Sequence, residues 1–471
     1  KEIDYVNSTV ELGSDTYNSG KITEKSTVKV CEILNKFRRK MKEYDVRDYK
    51  AYASSAVREA ENSVMVLERI KQHTGIDVTV LSNSEQRFMN YKACAAKYRF
   101  GQEETKNRAL LDIGAGSLQI SIFDKQNLIQ TQNLPIGAVR IRDYLAKYGA
   151  DTVALENIME EFVSNFIEEF RNLFINDKDI KSIIAIGDGI ANLKKVGPEL
   201  KIVDKITRDQ FRVLYHKVVE TTPEILSEKY GVPYERATLM LPMAIIYQSF
   251  LDNSRAEDII TPDVTFCDGI VADYMDKHGT LLIDKDFDED IIASANSIAK
   301  KYKVNRRHTQ NVMQNALDIF DSFKVIHGLG KRERLQLQIA AMNEGTMMSY
   351  HIIMSTEILG LSHKEREEIA NIVKFNEYYL PSQTKAQVSL MTADYMKVAK
   401  LTSILRIADV LDKSHRQKIE NMKFNCKDSV LTMTVDTLND ITLEAGVFRT
   451  KTELFRKVFG VKPVLKQKRG L

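Results

Sequence analysis

Apolar and polar positions change period several times along the first part of the chain, and each change marks an element. Between Thr23 and Tyr44, apolar Val28, Ile33, Leu34 and Phe37 recur at helical spacing, which predicts one long amphipathic helix. YKAYASSAVREAEN reads as a strand that ends in small residues before a helix. DVTVLSNSEQRFMNYKACAAKYRF repeats the plan, with a Ser-Asn-Ser turn between strand and helix. RALLDIGAGSLQISIFDK then reads as strand, glycine turn, strand. From Asn133 to about His278 the plan recurs. Strand-like KSIIAIGDGIANL lies between helices around Ile158–Phe174 and Arg208–Tyr230, and DVTFCDGIVADYM ends the stretch. Two α/β halves with glycine turns after their strands predict a two-lobed fold with a cleft between the lobes.

The pattern is almost purely helical from Asp284 to Lys423. SVLTMTVDTLNDITLEAG then returns to strand alternation, followed by a helix, KTELFRKVFG, and a basic tail, KPVLKQKRGL. Four parts are expected: 1–108, 109–283, a helical 284–425, and a small α+β 426–471.

Composition narrows the class. The 471 residues are 43% hydrophobic and 28% charged, as in a soluble globular protein. A net charge of +3 does not by itself imply nucleic acid, and none is expected as a specific partner. Cys31, Cys94, Cys267 and Cys426 are scattered with no CxxC pair, which argues against disulfides or a zinc site and for a reducing cytoplasm. No run of 18 apolar residues occurs, so no membrane span is expected. The opening KEIDYVNSTVELGSD carries no signal-peptide pattern.

Three short stretches carry candidate chemistry. In DIGAGS, Gly114 and Gly116 can take positive φ, and such a turn can aim backbone N–H groups at an anion. Ser117 adds a hydroxyl, and Asp112 at the strand end could hold a divalent cation beside a phosphate. An ordinary hairpin turn explains the same residues about as well. In ASSAVREAEN, Arg58 has the planar fork that pairs with phosphate, although a solvated arginine is the commoner outcome. In SNSEQRF, Ser82 or Ser84 suits a helix N-cap and Glu85 its first turn; the functional alternative makes Glu85 a base.

Taken in order, ASSAVREA, SNSEQRF, LLDIGAGS, PIGAVRIRDYL, ERATLMLPMAIIYQ, FCDGIVADY and LRIADVLDKSHRQKI resemble the exopolyphosphatase / guanosine pentaphosphate phosphatase family, especially its longer clostridial-type members. The resemblance implies an actin-like, ribonuclease-H-like pair of lobes, then an all-α HD-like domain and the small α+β domain. It implies a phosphohydrolase that releases terminal phosphate from inorganic polyphosphate or guanosine pentaphosphate with a divalent metal, usually magnesium, and it implies a homodimer. By resemblance Glu85 would orient the attacking water, Asp112 would belong to the metal site, and Arg58 with Gly114, Ala115, Gly116 and Ser117 would bind phosphate.

The departures are chemical. The family's Glu-Glu-Ala-Arg box here has Ser84 and Glu85, and a glutamate expected after the second glycine turn is Gln119. Glutamine cannot take a proton near neutral pH and adds no charge for a metal. A catalytically weakened phosphate- or nucleotide-binding sensor is therefore the alternative. In AIGDGIAN, Ile190 stands where a hydroxyl is expected, and Asp188 would either add a carboxylate or repel phosphate. The family's first phosphate turn does not occur, nor does a His-Asp/Asn-x-Gly-Lys segment near Ala341; both read as residues omitted from the quoted sequence. His308 and Asp409 sit at the first and last HD positions, but Asn343 and Glu344 are nearest the central pair, so a structural helical domain is expected. Lys300, Lys301, Lys303, Arg306 and Arg307, and in the tail Lys462, Lys466, Lys468 and Arg469, suit a polyanion channel or a solvated face.

Overall fold

The early alternation of strand and helix builds two sheets in a computed structural model, which describes residues 3–98, 107–124, 127–146, 152–175, 179–281, 286–302, 304–343, 348–382, 392–419 and 422–468. The chain divides into two compact units, Lys1–Lys285 and Asp286–Leu471.

In the first unit, α1 (Leu12–Ser19) and α2 (Glu24–Glu43) lead to β1 (Ala51–Ala53), α3 (Ser55–Glu59), α4 (Ser63–Thr74), β2 (Val78–Val80) and α5 (Asn83–Tyr98). Thr23 caps α2 by accepting from the Ser26 N–H, and Tyr44 closes it. Its buried stripe runs through Thr27 and Cys31, whereas Val28 is 44% exposed, so the inward face lies one residue from the predicted one. Strands β1 and β2 are parallel, with Ala51 opposite Val78 and Ala53 opposite Val80. Both therefore hand over to α3 and α5 at the same end of this small sheet.

The second sheet has six strands: β3 (Asn107–Ile113), β4 (Leu118–Asp124), β5 (Asn127–Leu134), β6 (Ile180–Ile186), β7 (Lys205–Thr207) and β8 (Asp258–Ile260), in the order β5-β4-β3-β6-β8-β7. Strands β3, β6 and β8 are mutually parallel, and β3–β4 is the expected antiparallel hairpin. From Arg108 onward every residue of β3 is buried, as a strand covered on both faces should be. The crossovers use α6 (Ala138–Ala146), α7 (Thr152–Phe170), α8 (Asp188–Lys195), α9 (Arg208–Val219), α10 (Pro223–Tyr230), α11 (Tyr234–Ala237) and α12 (Met240–Asp252), and α13 (Phe266–Lys277) follows β8. Leu111, Ile120 and Ile183 of the sheet share one core with Val163, Phe211 and Ile246 of these helices. The stretch expected as one helix over Arg208–Tyr230 is two, because α9 ends at Val219 and Pro223 opens α10.

The second unit is helical first: α14 (Phe287–Lys301), α15 (Arg306–Ser322), α16 (Lys324–His327), α17 (Lys331–Met342), α18 (Ser349–Ser355), α19 (His363–Glu377) and α20 (Thr392–Val410). Strands β9 (Met422–Lys427) and β10 (Val430–Asp436), helices α21 (Thr442–Lys451) and α22 (Glu453–Phe459), and strand β11 (Lys462–Lys468) complete it. Two sequence readings change here. The alternation expected through DITLEAG stops at Asp436, and the rest opens α21. The basic tail is a strand, β11, paired in parallel with β10. Among the described residues, no helix is long and apolar enough to cross a membrane.

Candidate functional site

The site forms where β3 ends. Asp112 is directly opposite Gln119 across the hairpin and beside Ile186 of β6, so the carboxylate and the amide share one face of the sheet. Asp112 is 8% exposed and Gln119 4%. Asn90 of α5 donates from Nδ2 to Asp112 Oδ2 at 2.5 Å. Burial pushes the Asp112 carboxyl up to about 6, against the Asn90 hydrogen bond and the Arg87 charge, which act downward. The Gln119 Oε1 is buried with no hydrogen-bond partner among the described residues. A buried amide oxygen in that state carries the full cost of desolvation unless a donor or cation meets it.

Residues 114–117 close the hairpin, with the Gly114 N–H bonded to the Ser117 carbonyl at 2.9 Å. Neither Gly114 nor Gly116 has positive φ, which corrects the reason expected for glycine at these positions. Crowding explains Gly116 instead: a Cβ there would lie 2.3 Å from the Tyr17 hydroxyl. The turn's carbonyls face α6, where the Ala138 N–H binds the Gly114 oxygen and the Val139 and Arg140 N–H groups bind the Ala115 oxygen. Gly137 makes this approach possible, since a Cβ there would come within 2.3–2.4 Å of the backbone of Ala115–Ser117. The Ala115 and Gly116 N–H groups have no acceptor among the described residues, and Gly116 is buried. Such a pair of amides is a natural partner for an anion.

The β6–α8 turn supplies the next wall. Gly187 takes φ +94°, a conformation that favours glycine, and a Cβ there would sit 3.6 Å from Asp112 Oδ1. Ile190 is buried in the core, which accounts for an apolar residue at that position. The side chain of Asp188 lies outside the described residues.

Arg58 and Glu85 both bond to the segment that joins β2 to α5. Arg58 Nη1 donates to the Leu81 carbonyl at 2.6 Å, and Nη2 to Asn83 Oδ1. Ser82 is the N-cap of α5: its N–H and hydroxyl donate to Glu85 Oε2 at 2.9 and 2.8 Å, and the Glu85 N–H donates back to the Ser82 oxygen. Glu85 thus closes a capping box. Ser84, at the position of the missing glutamate, is 3% exposed. Helix α5 links this cluster to Asp112 through Asn90.

Tyr17 gives a second link. Its hydroxyl donates to Ser55 Oγ at 3.1 Å at the start of α3, it abuts Gly116, and Arg140 stacks over its ring at 4.6 Å. Arg140 also donates to the Gly116 carbonyl at 2.8 Å and pairs with Glu59 of α3. Asn90, Tyr17, Gly137 and Arg140 were not singled out by the sequence reading. PIGAVRIRDYL did mark the neighbourhood of the last two, but nothing local signals contacts that span tens of residues.

Behind the site, Lys92 of α5 is buried and bonded to Asp273 and Asp276 of α13 at 2.8 and 2.6 Å. The helices approach closely at Gly269, where a Cβ would meet Asn90 at 2.8 Å.

In the second unit His308 Nδ1 lies 2.9 Å from Asp412 Oδ2, and Nε2 lies 3.6 Å from Asp409 Oδ1. The His415 ring stacks on His308 at 3.8 Å. Asn343 bonds within its own helix, to the Ile339 carbonyl, and Glu344 lies outside the described residues. Among the described residues no group of three or more His, Cys, Asp or Glu could hold a metal ion in either unit.

Comparison with known proteins gives this geometry a family. Residues 3–278 match the model of the Ppx/GppA phosphatase family, and residues 292–445 match that family's domain III. Exopolyphosphatase 1 of Mycobacterium tuberculosis is 32% identical over 138 residues, which is 29% of this chain and 39% of that protein. A bifunctional 3-dehydroquinate synthase/phosphatase of Fusobacterium nucleatum is 25% identical over 28% of this chain and 20% of its own. The chain thus spans about two fifths of the length of the mycobacterial relatives it matches. An exopolyphosphatase from Cytophaga hutchinsonii shares the fold with a TM-score of 0.51 at 20% identity, covering 58% of this chain and 88% of that one. An exopolyphosphatase-like protein does so with a TM-score of 0.50 at 15% identity, covering 59% and 92%. These neighbours fit the actin-like fold expected from the sequence. The matched family model covers more than half of the chain, and the chain belongs to the Ppx/GppA phosphatase family.

Proposed function

We propose that the chain is a phosphohydrolase that releases terminal phosphate from inorganic polyphosphate or guanosine pentaphosphate. The observation that carries this reading is the pairing of buried Asp112 with a turn whose Ala115 and Gly116 N–H groups have no acceptor among the described residues. The turn would receive the terminal phosphate, with Ser117 adding its hydroxyl, and Arg58 would pair with the same phosphate. Asp112 and the orphaned Gln119 oxygen are oxygen donors of the kind a magnesium ion accepts. One carboxylate and one amide oxygen fit a cation whose remaining ligands are phosphate oxygens and water rather than one held by protein alone. That cation would supply charge neutralisation on the phosphoryl oxygens.

Glu85 would orient the water. Both cap bonds from Ser82 fall on Oε2, so this role belongs to Oε1. The reading extends to a cytoplasmic homodimer. A second reading, a sensor that binds polyphosphate or nucleotide and scarcely cuts it, is favoured by Gln119, which brings no charge and no base.

Purified chain incubated with magnesium and either substrate decides between the two. Phosphate release supports the enzyme. Tight binding of either substrate without release selects the sensor, and neither binding nor release removes both.

A further inference from the structure

Within the second unit, the segment after α19 and helices α20, α21 and α22 line a cleft of about 310 Å³. That is the size at which small-molecule sites begin. One wall is apolar, formed by Leu380, Met396, Leu454 and Val458. Tyr379, 78% exposed, and Met396, 41% exposed, leave apolar surface in contact with solvent there.

Arg406 of α20 supplies the charge. Its Nε donates to the Phe375 carbonyl at 2.9 Å, and Nη2 donates to the Phe375 and Tyr378 carbonyls at 2.5 Å. These bonds fix the guanidinium but do not neutralise it. Among the described residues Nη1 has no hydrogen-bond partner, and no carboxylate lies within ion-pair distance of Arg406. Burial pulls the Arg406 pKa below its ordinary value, with the charge of Glu377 acting the other way. A half-buried cation in that state gains more from an anion than a solvated one does.

The other charges of the lining cancel, because Lys457 pairs with Glu453 at 2.7 Å. The lining as a whole therefore carries a single positive charge beside an apolar wall. We propose that this cleft binds a small organic monoanion, a carboxylate on a short apolar body, with the carboxylate on Arg406 and the body against Met396, Leu454 and Val458. One uncompensated charge and a nearby carboxylate, Glu453, disfavour a polyanion. The site stands independently of the phosphohydrolase reading, since no residue of the phosphate turn belongs to it.

Octanoate is the probe, and full-length protein is titrated with it by calorimetry. In the parent it should bind and should slow the peroxide oxidation of Met396, read by mass spectrometry. Met65 and Met348, 76% and 60% exposed, should keep their rates. Octanol, which has the body without the charge, should bind on the order of tenfold more weakly. Arg406→Gln should lower octanoate affinity by a similar factor and leave octanol unchanged, and Met396→Trp, which fills the cleft, should weaken both. The oxidation result and the comparison of octanoate with octanol require no variant to fold. Octanol binding as tightly as octanoate, unprotected Met396, or unchanged affinity in Arg406→Gln would overturn the proposal. So would displacement of octanoate by an equal concentration of tripolyphosphate, which would make the cleft a phosphate site. Protection of Met396 by raising the protein concentration alone would overturn it too, since a second copy of the chain would then be the occupant.

Discussion

Glu85 carries two demands at once, a helix cap and a proposed base, and one substitution separates them. Glutamine at the same position also closes a capping box. In Glu85→Gln we expect a melting temperature close to the parent's, with a stability change of roughly 0.5 kcal/mol or less, and a fall in phosphate release of about 10²–10⁴-fold. Release that persists would remove Glu85 from the chemistry. Gln119 offers the converse experiment. The Asp112 carboxyl stands at about 6 in the fold against an ordinary value of 3.8. The folded chain therefore binds more protons than the unfolded one between these values, and this contribution to stability is full below 3.8 and lost as pH rises through about 6. Gln119→Glu sets a second carboxylate on the same face and deepens that loss. Its melting temperature should drop relative to the parent's from about pH 5 to about pH 8 and recover with magnesium. If magnesium restores nothing, no cation is held between these residues.

At the scale of elements, the hairpin turn is packed between α6 and Tyr17 of α1. Gly137→Ala would press a methyl against three backbone atoms of the turn, so we expect a loss of several kcal/mol or no folded protein. Gly116→Ala meets the far end of one side chain instead, and Tyr17→Ala should relieve it. Denaturant titrations of both single variants and the double variant should show coupling of about 1 kcal/mol or more. Strict additivity would mean that the two residues do not touch. The sequence announced much of this layer. The hairpin, the limits of α2 and the start of α5, for which Ser82 was one of two candidate caps beside Ser84, follow from local periodicity and capping chemistry, which act within a few residues. DITLEAG misled because an alternation of so few residues fits the first turn of a helix as well as a strand. Asn90 was illegible for another reason. Its partner is 22 residues away, and a lone polar residue on a helix gives no sign of which carboxylate it will meet. Gly116 of DIGAGS was legible as special, but its cause is crowding from Tyr17, which only the folded chain brings beside it.

Over the whole molecule, the four cysteines report on how well each unit excludes solvent. Cys94 is fully buried in α5, and burial pushes its thiol up to about 12. Cys31 is buried against α4, whereas Cys267 in the first unit and Cys426 in the second are exposed. A thiol reagent at mildly alkaline pH should label Cys267 and Cys426 promptly in the native protein and reach all four only in denaturant. Early labelling of Cys94 would show that α5, which carries both Glu85 and Asn90, opens in the native state.

Because the carbonyls of Gly114 and Ala115 are committed to α6, the turn and the first amides of that helix form one mechanical piece. An anion that settles on the turn would steady that piece, and the amides of Ala138, Val139 and Arg140 would then exchange their hydrogens with solvent more slowly. These protons are a built-in gauge of occupancy. They can be read by deuterium uptake with a substrate, a product or a substrate that is never cut, so whether the turn is filled can be known before anyone asks whether the phosphate is released.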